Sequence, residues 1–171
     1  QVARALRQHD GIMAITNNIN VANILRSAPA VEVIIAGGQV RPSDGGIVGE
    51  ATVDFIRQFK VDYAVIGASA IDADGTIFDY DFREVRVARE ILSHARQTLL
   101  VADAMKFERS APVRIAHLSQ IDIFVTDTAP PESVAEICRE HNVRIEIAGD
   151  GTANAFAFTP GPSAGQEQEG A

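Results

Sequence analysis

Five short polar clusters carry the residue types that could hold a charged small molecule. They are Thr16-Asn17-Asn18, Gly37-Gly38, Gly67-Ala68-Ser69, Asp103-Ala104-Met105-Lys106 and Asp127, and each follows a short run rich in Val, Ile or Leu. Glycines let backbone N–H groups come close to phosphate oxygens, amides and hydroxyls complete hydrogen bonds, and helix N-termini add a positive dipole end. The set suits a polar, anionic small molecule. Lys106 stands out, because 15 residues are Lys or Arg and only Lys60 and Lys106 are lysines. A lysine three residues after Asp103 hints at a compact point charge rather than a fork, although Lys60 occurs with no such setting.

Plainer roles compete at each position. Asn18 reads equally well as the N-cap of the helix that follows. Gly37-Gly38 and Gly45-Gly46 fit ordinary turns; neither pair leads into GK[ST], and GxGxxG is absent. Asp81 and Glu84 have the D-x-x-E spacing of a capping box, which would make Glu84 a helix-start residue. Arg83, Glu84, Arg86, Arg89 and Glu90 read as a solvated helix face, and Cys138 as core.

The elements that must position these groups alternate. Strand-like runs occur at Ile12 to Ile15, Val31 to Ile35, Tyr63 to Ile66, Thr98 to Val101, Ile123 to Thr126 and Val143 to Ile147. Between most of them lie helical stripes: Val21, Ala22, Leu25, Ala28; Thr52, Phe55, Ile56, Phe59; Val85, Ala88, Leu92, Ala95; and Val134, Ile137, Cys138 after Pro130-Pro131. Strand alternating with helix predicts an α/β fold, a mostly parallel sheet with helices on both faces. Ligands then bind beyond the carboxyl ends of the strands, where the polar clusters fall. Gln1 to His9 opens directly in a helix-like stretch. The segment 149–171 is Gly-, Ala- and Gln-rich without Lys or Arg, and is expected to be a disordered tail.

Composition narrows the classes. The 171 residues, 46 % hydrophobic and 22 % charged, support one domain with a real core. A net charge of −8 and a pI near 4.9 argue against this chain binding nucleic acid alone. One cysteine excludes an internal disulfide framework and a multi-cysteine zinc site. No metal or cofactor is expected. No apolar run reaches membrane-span length, and Gln1-Val2-Ala3-Arg4 carries neither a signal peptide nor an initiator Met. A cytoplasmic piece of a longer chain is expected.

Thr16-Asn17-Asn18-Ile19-Asn20-Val21-Ala22, Ala36-Gly37-Gly38, Asp44 to Ala51 and Asp103-Ala104-Met105-Lys106-Phe107 together resemble the effector-sensing domain of DeoR-type bacterial transcriptional repressors. The resemblance runs from about residue 1 to 148. Asp81 to Arg86 and the Asp44 to Ala51 block most resemble members that respond to glycerol 3-phosphate. It implies a fold like ribose-5-phosphate isomerase and the CoA transferases, and a phosphorylated polyol or sugar as effector. Thr16 and Asn17 match a loop at the ligand cleft, Gly37 and Gly38 the glycine pair lining it, Asp103 and Lys106 the D-x-x-K motif at the phosphorylated effector, and Glu84 a cleft-side acidic position. Residues 1–148 are then the sensing domain, with its opening strand, a D-x-G-[ST]-[ST] phosphate loop and a helix-turn-helix domain all expected before Gln1. A missing strand would leave an open sheet edge.

The leading function is therefore regulatory and not catalytic: a repressor's sensor, switching operator affinity through the upstream domain, in a homo-oligomer. The alternative is a sugar-phosphate isomerase or CoA transferase of the same fold, with Asp103, Asp127 or Glu84 as base or nucleophile. A third class is an oligomerisation module without a ligand.

Overall fold

Runs of Val, Ile and Leu bounded by polar loops become strands because their branched side chains fill both sides of a covered sheet. A computed structural model describes residues 1–148 and shows where these runs pair. The expected tail, 149–171, lies outside the described residues.

The N-terminal part comprises helix α1 (Val2–Leu6), strand β1 (Ile12–Thr16), helix α2 (Ile19–Leu25) and strand β2 (Val31–Ile35). β1 and β2 pair in parallel from Ile12↔Val31 to Thr16↔Ile35. One face of this ribbon packs Ile12, Ala14, Val31 and Val33 on Ala3, Leu25 and Ala28 of the two helices and their ends. A short antiparallel pair, β3 (Gln39–Val40) and β4 (Ile47–Val48), leads into helix α3 (Glu50–Ile56).

The second part is a four-stranded parallel sheet. Its strands are β5 (Val61–Ile66), β8 (Ala95–Val101), β10 (Ile123–Thr126) and β11 (Arg144–Ile147), in the order β11-β10-β8-β5. Inserted are β6 (Ala70–Ile71), β7 (Thr76–Asp79), helix α4 (Phe82–Ser93) and β9 (Val113–His117); helix α5 (Glu132–Glu140) crosses from β10 to β11. The main core joins Ile66, Leu100 and Phe124 of the sheet to Val85 and Ala88 of α4, Val134 and Cys138 of α5, and Ile77 and Ile115 of the small sheet. Val87, one residue along α4, meets Val53 and Ile56 of α3 and Val48 of β4. α4 is thus buried on two sides.

The mostly parallel α/β architecture is as read from the sequence, with three differences. The parallel strands form two sheets rather than one: β1 pairs only with β2, and β5 only with β8, among the described residues. The antiparallel sheet β6-β7-β9 was not foreseen. Three apolar stripes also overrun their helices, since Ala28 lies past α2, Phe59 past α3, and Ala95 begins β8. In β9 the register with β7 shifts by one residue, passing from Ile77↔Ala116 to Phe78↔Arg114. At this bulge Arg89 of α4 donates hydrogen bonds to two successive carbonyls, Arg114 and Ile115 (2.5 and 3.2 Å). Among the described residues no helix is long and apolar enough to cross a membrane.

Candidate functional site

Parallel pairing puts the carboxyl ends of β5, β8 and β10 along one rim of the sheet. Asp103 and Lys106 follow β8 there. Asp103 caps a 3-10 turn over Ala104–Glu108, its Oδ1 accepting from Met105 N at 3.1 Å. Asp127, after β10, accepts from Ala104 N at 2.8 Å and ties the two loops together. Phe107 anchors the turn from below, its ring meeting buried Phe124 edge-on with centroids 6.2 Å apart. Lys106 is half-buried on this turn, and its ammonium has no ion pair among the described residues. Burial without a partner disfavours a charge, so a half-buried, unpaired lysine on a fixed turn is suited to meet an anion.

The other candidates gather at the ends of β1 and β2. Thr16 Oγ1 accepts from Asn18 N at 3.1 Å. Asn17 bridges to β4: its Nδ2 donates to Ile47 O at 3.1 Å, and its own carbonyl accepts from Ile47 N at 2.6 Å. Asn18 is the N-cap of α2, with Oδ1 accepting from Asn20 N and Val21 N at 2.9 and 3.2 Å. Gly37 O accepts from buried Thr52 Oγ1 at 2.8 Å. Gly38 has φ +148°, and a Cβ there would stand 2.2 Å from that hydroxyl and 2.8 Å from Val48 O. Only glycine fits this approach.

Glu84 corrects the sequence reading twice. Asp81 does cap α4, accepting from Arg83 N at 2.9 Å. Glu84, however, does not close a capping box, nor does it lie on a solvated face. It turns to Arg41, 3.4 Å away. Glu90, placed on the same solvated face, instead pairs with Arg57 at 3.0 Å and is largely covered. The reason is tertiary: α3 and the Asp44 loop cover this side of α4, so charges expected in water find partners there.

A network that the sequence did not reveal runs from the loop after β5 to the loop after β1. Ser69 Oγ, after β5, donates to Asp79 Oδ2 at 2.9 Å, and Asp79 Oδ1 accepts from Tyr80 N at 2.6 Å. Asp81 lies 3.5 Å from Arg41, which also pairs with Asp44 at 3.1 Å. Asp44 O in turn accepts from Asn18 and Asn20 side chains at 3.1 and 2.9 Å. Neither Arg41 nor Asp79 could be picked out from its neighbours, since Arg41 meets Asp81 and Glu84 from far along the chain and Asp79 meets Ser69 ten residues back. Two grooves, of about 390 and 320 Å³, lie away from all these loops, one lined by Arg89, Ser93 and Arg114 and the other by Arg4, Arg7 and Ser27. None of the candidate residues lines either. Among the described residues no cluster of His, Cys, Asp or Glu could hold a metal ion.

The electrostatics of the network predict opposed pH dependences. Burial pushes the Glu84 carboxyl above its ordinary 4.5; Arg41 pulls the other way, and Asp44, Asp79 and Asp81 add to the rise. Asp81 is held down to about 2 from 3.8, first by the hydrogen bond from the Arg83 side chain. Folded Glu84 binds its proton more tightly than unfolded Glu84 does. Its contribution is therefore full below pH 4.5 and lost as pH rises through the higher folded value. Asp81 stabilises fully above pH 3.8 and loses its contribution as pH falls toward 2. In urea melts across pH 2–7, Asp81→Asn should flatten the acid limb, whereas Glu84→Gln should remove a decline that begins above pH 4.5. Wild-type profiles in both variants would refute the assignments.

The family model of the DeoR C terminal sensor domain matches residues 1–128. The glycerol-3-phosphate regulon repressor of Escherichia coli (strain K12) is 43 % identical over 146 residues, covering 85 % of this chain and 58 % of the relative. The repressor of the same name from Haemophilus influenzae is 46 % identical over 146 residues, covering 85 % of this chain and 56 % of its own length. The HTH-type transcriptional repressor CsqR of E. coli is 37 % identical over 144 residues, covering 84 % and 55 %. The chain thus spans somewhat over half the length of these relatives. With three quarters of its residues inside the family model, and strands, loops and core arranged as above, the chain belongs to the DeoR C-terminal sensor domain family.

Proposed function

We propose that this chain is the effector-binding part of a transcriptional repressor and that its effector is a phosphorylated polyol or sugar, glycerol 3-phosphate first. Lys106 takes the phosphate, and Asp103 binds a hydroxyl or orients the lysine. Thr16, Asn17, Gly37 and Gly38 line the far side, with Glu84 on the acidic flank. The observation that carries the reading is the half-buried Lys106, without an ion-pair partner among the described residues, on a turn fixed by Asp103, Asp127 and Phe107. Relatives at 43–46 % identity are named for the glycerol 3-phosphate regulon, which supports the choice of ligand. Operator DNA is bound through a helix-turn-helix domain elsewhere in the full-length protein, as a homo-oligomer in the cytoplasm; the −8 charge of this chain gives it no share in phosphate neutralisation.

Catalysis of the same-fold kind fits less well. Asp103 and Asp127 each hold a backbone N–H, and Glu84 faces Arg41, so each of the three carboxylates cast as base or nucleophile is already engaged. The test is calorimetric titration of the full-length protein with glycerol 3-phosphate, glycerol and inorganic phosphate, alongside operator release followed by anisotropy. Binding of the phosphate ester above the other two, with loss of operator affinity, is expected. No binding of any of the three would end the effector reading.

The same proposal places a further strand between β1 and β5, supplied by the segment preceding Gln1 in the full-length protein. β1 runs parallel to β2 and β5 to β8, and each has its other edge unpaired among the described residues. Met13 on β1 and Val65 on β5 are 57 % and 41 % exposed apolar side chains. One inserted strand would join the two sheets and carry its loop to the candidate cleft. Hydrogen exchange should then show β1 and β5 amides protected at both edges in the full-length protein, and one edge of each exchanging fast in residues 1–148 alone. Equal exchange in the two would exclude the inserted strand.

A further inference from the structure

Arg41 sits where three parts of the molecule meet. Its loop closes on itself, with Arg41 N donating to Gly46 O at 2.7 Å and Gly45 N to Arg41 O at 3.0 Å. On one side that loop is fastened to the start of α2, through the Asn18 and Asn20 amides on Asp44 O and Ile19 N on Gly45 O (2.9 Å). On the other side the Arg41 guanidinium reaches the cap and first turn of α4 at Asp81 and Glu84. Its side chain is only 17 % exposed, so these pairs are screened less than surface pairs. The fit is close, for a Cβ on Gly46 would stand 3.2 Å from Glu84 Oε2.

Taking Arg41 away would leave Asp44, Asp81 and Glu84 facing one another across this joint, with Asp79 nearby. Like charges at such range repel and are costly to bury. The loop would then part from α4, taking the start of α2 with it, and in the effector reading above the Thr16–Asn18 and Gly37–Gly38 side of the cleft would part from the Asp103–Lys106 side. We propose that Arg41 is a positioning residue for the effector cleft, holding Glu84 against the Asp44–Gly46 loop so that the two sides keep one spacing. The binding consequence rests on the effector reading given above; the mechanical one does not.

Two readouts on the full-length protein separate them. In Arg41→Gln, amides of residues 44–47 and 82–85 should exchange at least about tenfold faster while those of β8 and β10 stay protected. Glycerol 3-phosphate should bind about tenfold or more weakly, because only a fraction of molecules would then hold the competent spacing. Arg41→Lys keeps the charge without the fork and should restore part of both; it also serves if the glutamine variant does not fold. Unchanged exchange, or unchanged affinity in a loosened loop, overturns the proposal. If wild type binds no phosphate ester, the effector reading falls, and exchange alone decides whether Arg41 holds the joint.

Discussion

Gly38→Ala should destabilise the protein by roughly 2–5 kcal/mol, combining backbone strain with overpacking of a closed site. The added methyl carbon would lie 2.2 Å from Thr52 Oγ1 and 2.8 Å from Val48 O. Neither can yield freely, since Thr52 is fully buried and Val48 O belongs to the backbone. Relieving the clash would break the Thr52 hydrogen bond to Gly37 O and detach α3 from the end of β2. Gly37→Ala is the control: nothing lies within 4 Å of a Cβ there, so a change within about 0.5 kcal/mol is expected. Urea melts of the two variants give the comparison. Similar midpoints would mean that the glycine pair is not packed as described.

Lys106→Ala should weaken glycerol 3-phosphate binding by about ten- to a hundred-fold, because a hydrogen bond to a charged group is worth about 1.5–3 kcal/mol. Thermal unfolding without effector should hardly change, since Lys106 has no ion pair to lose among the described residues and the turn is held by Asp103, Asp127 and Phe107. Operator binding should persist, giving a repressor that no longer releases. Effector and operator affinities are linked, so losing the contact can reduce induction but cannot mimic it. Calorimetry on both proteins decides the matter, and equal affinities would return Lys106 to an ordinary surface residue.

The parallel strands were legible because a strand covered on both faces is written as an unbroken apolar run, as in Ile123 to Thr126. Helices α2 to α5 were legible for the matching reason of periodicity. The sheet β6-β7-β9 was not. Two of its strands are only two and four residues long, below the length at which alternation can be read, although Asp74-Gly75 between them is a turn signal. The candidate site divides in the same way. Asn18 and Asp81 announced themselves as caps, because capping acts within a few residues. Arg41 did not, because what defines it comes from residues 43 positions away, at Glu84. For Glu84 local spacing gave a wrong role, and a long-range ion pair overrode it.

Arg89 has a bearing on the open edge of the small antiparallel sheet. Where β9 bulges, two carbonyls point outward together instead of alternating, and the Arg89 guanidinium occupies both. A strand from a neighbouring molecule would find those acceptors taken and α4 in its path. At these two positions β9 has no free acceptor to offer a growing intermolecular ladder. One side chain from an adjacent helix thus blunts this margin, where other proteins use prolines, lysines or shortened strands.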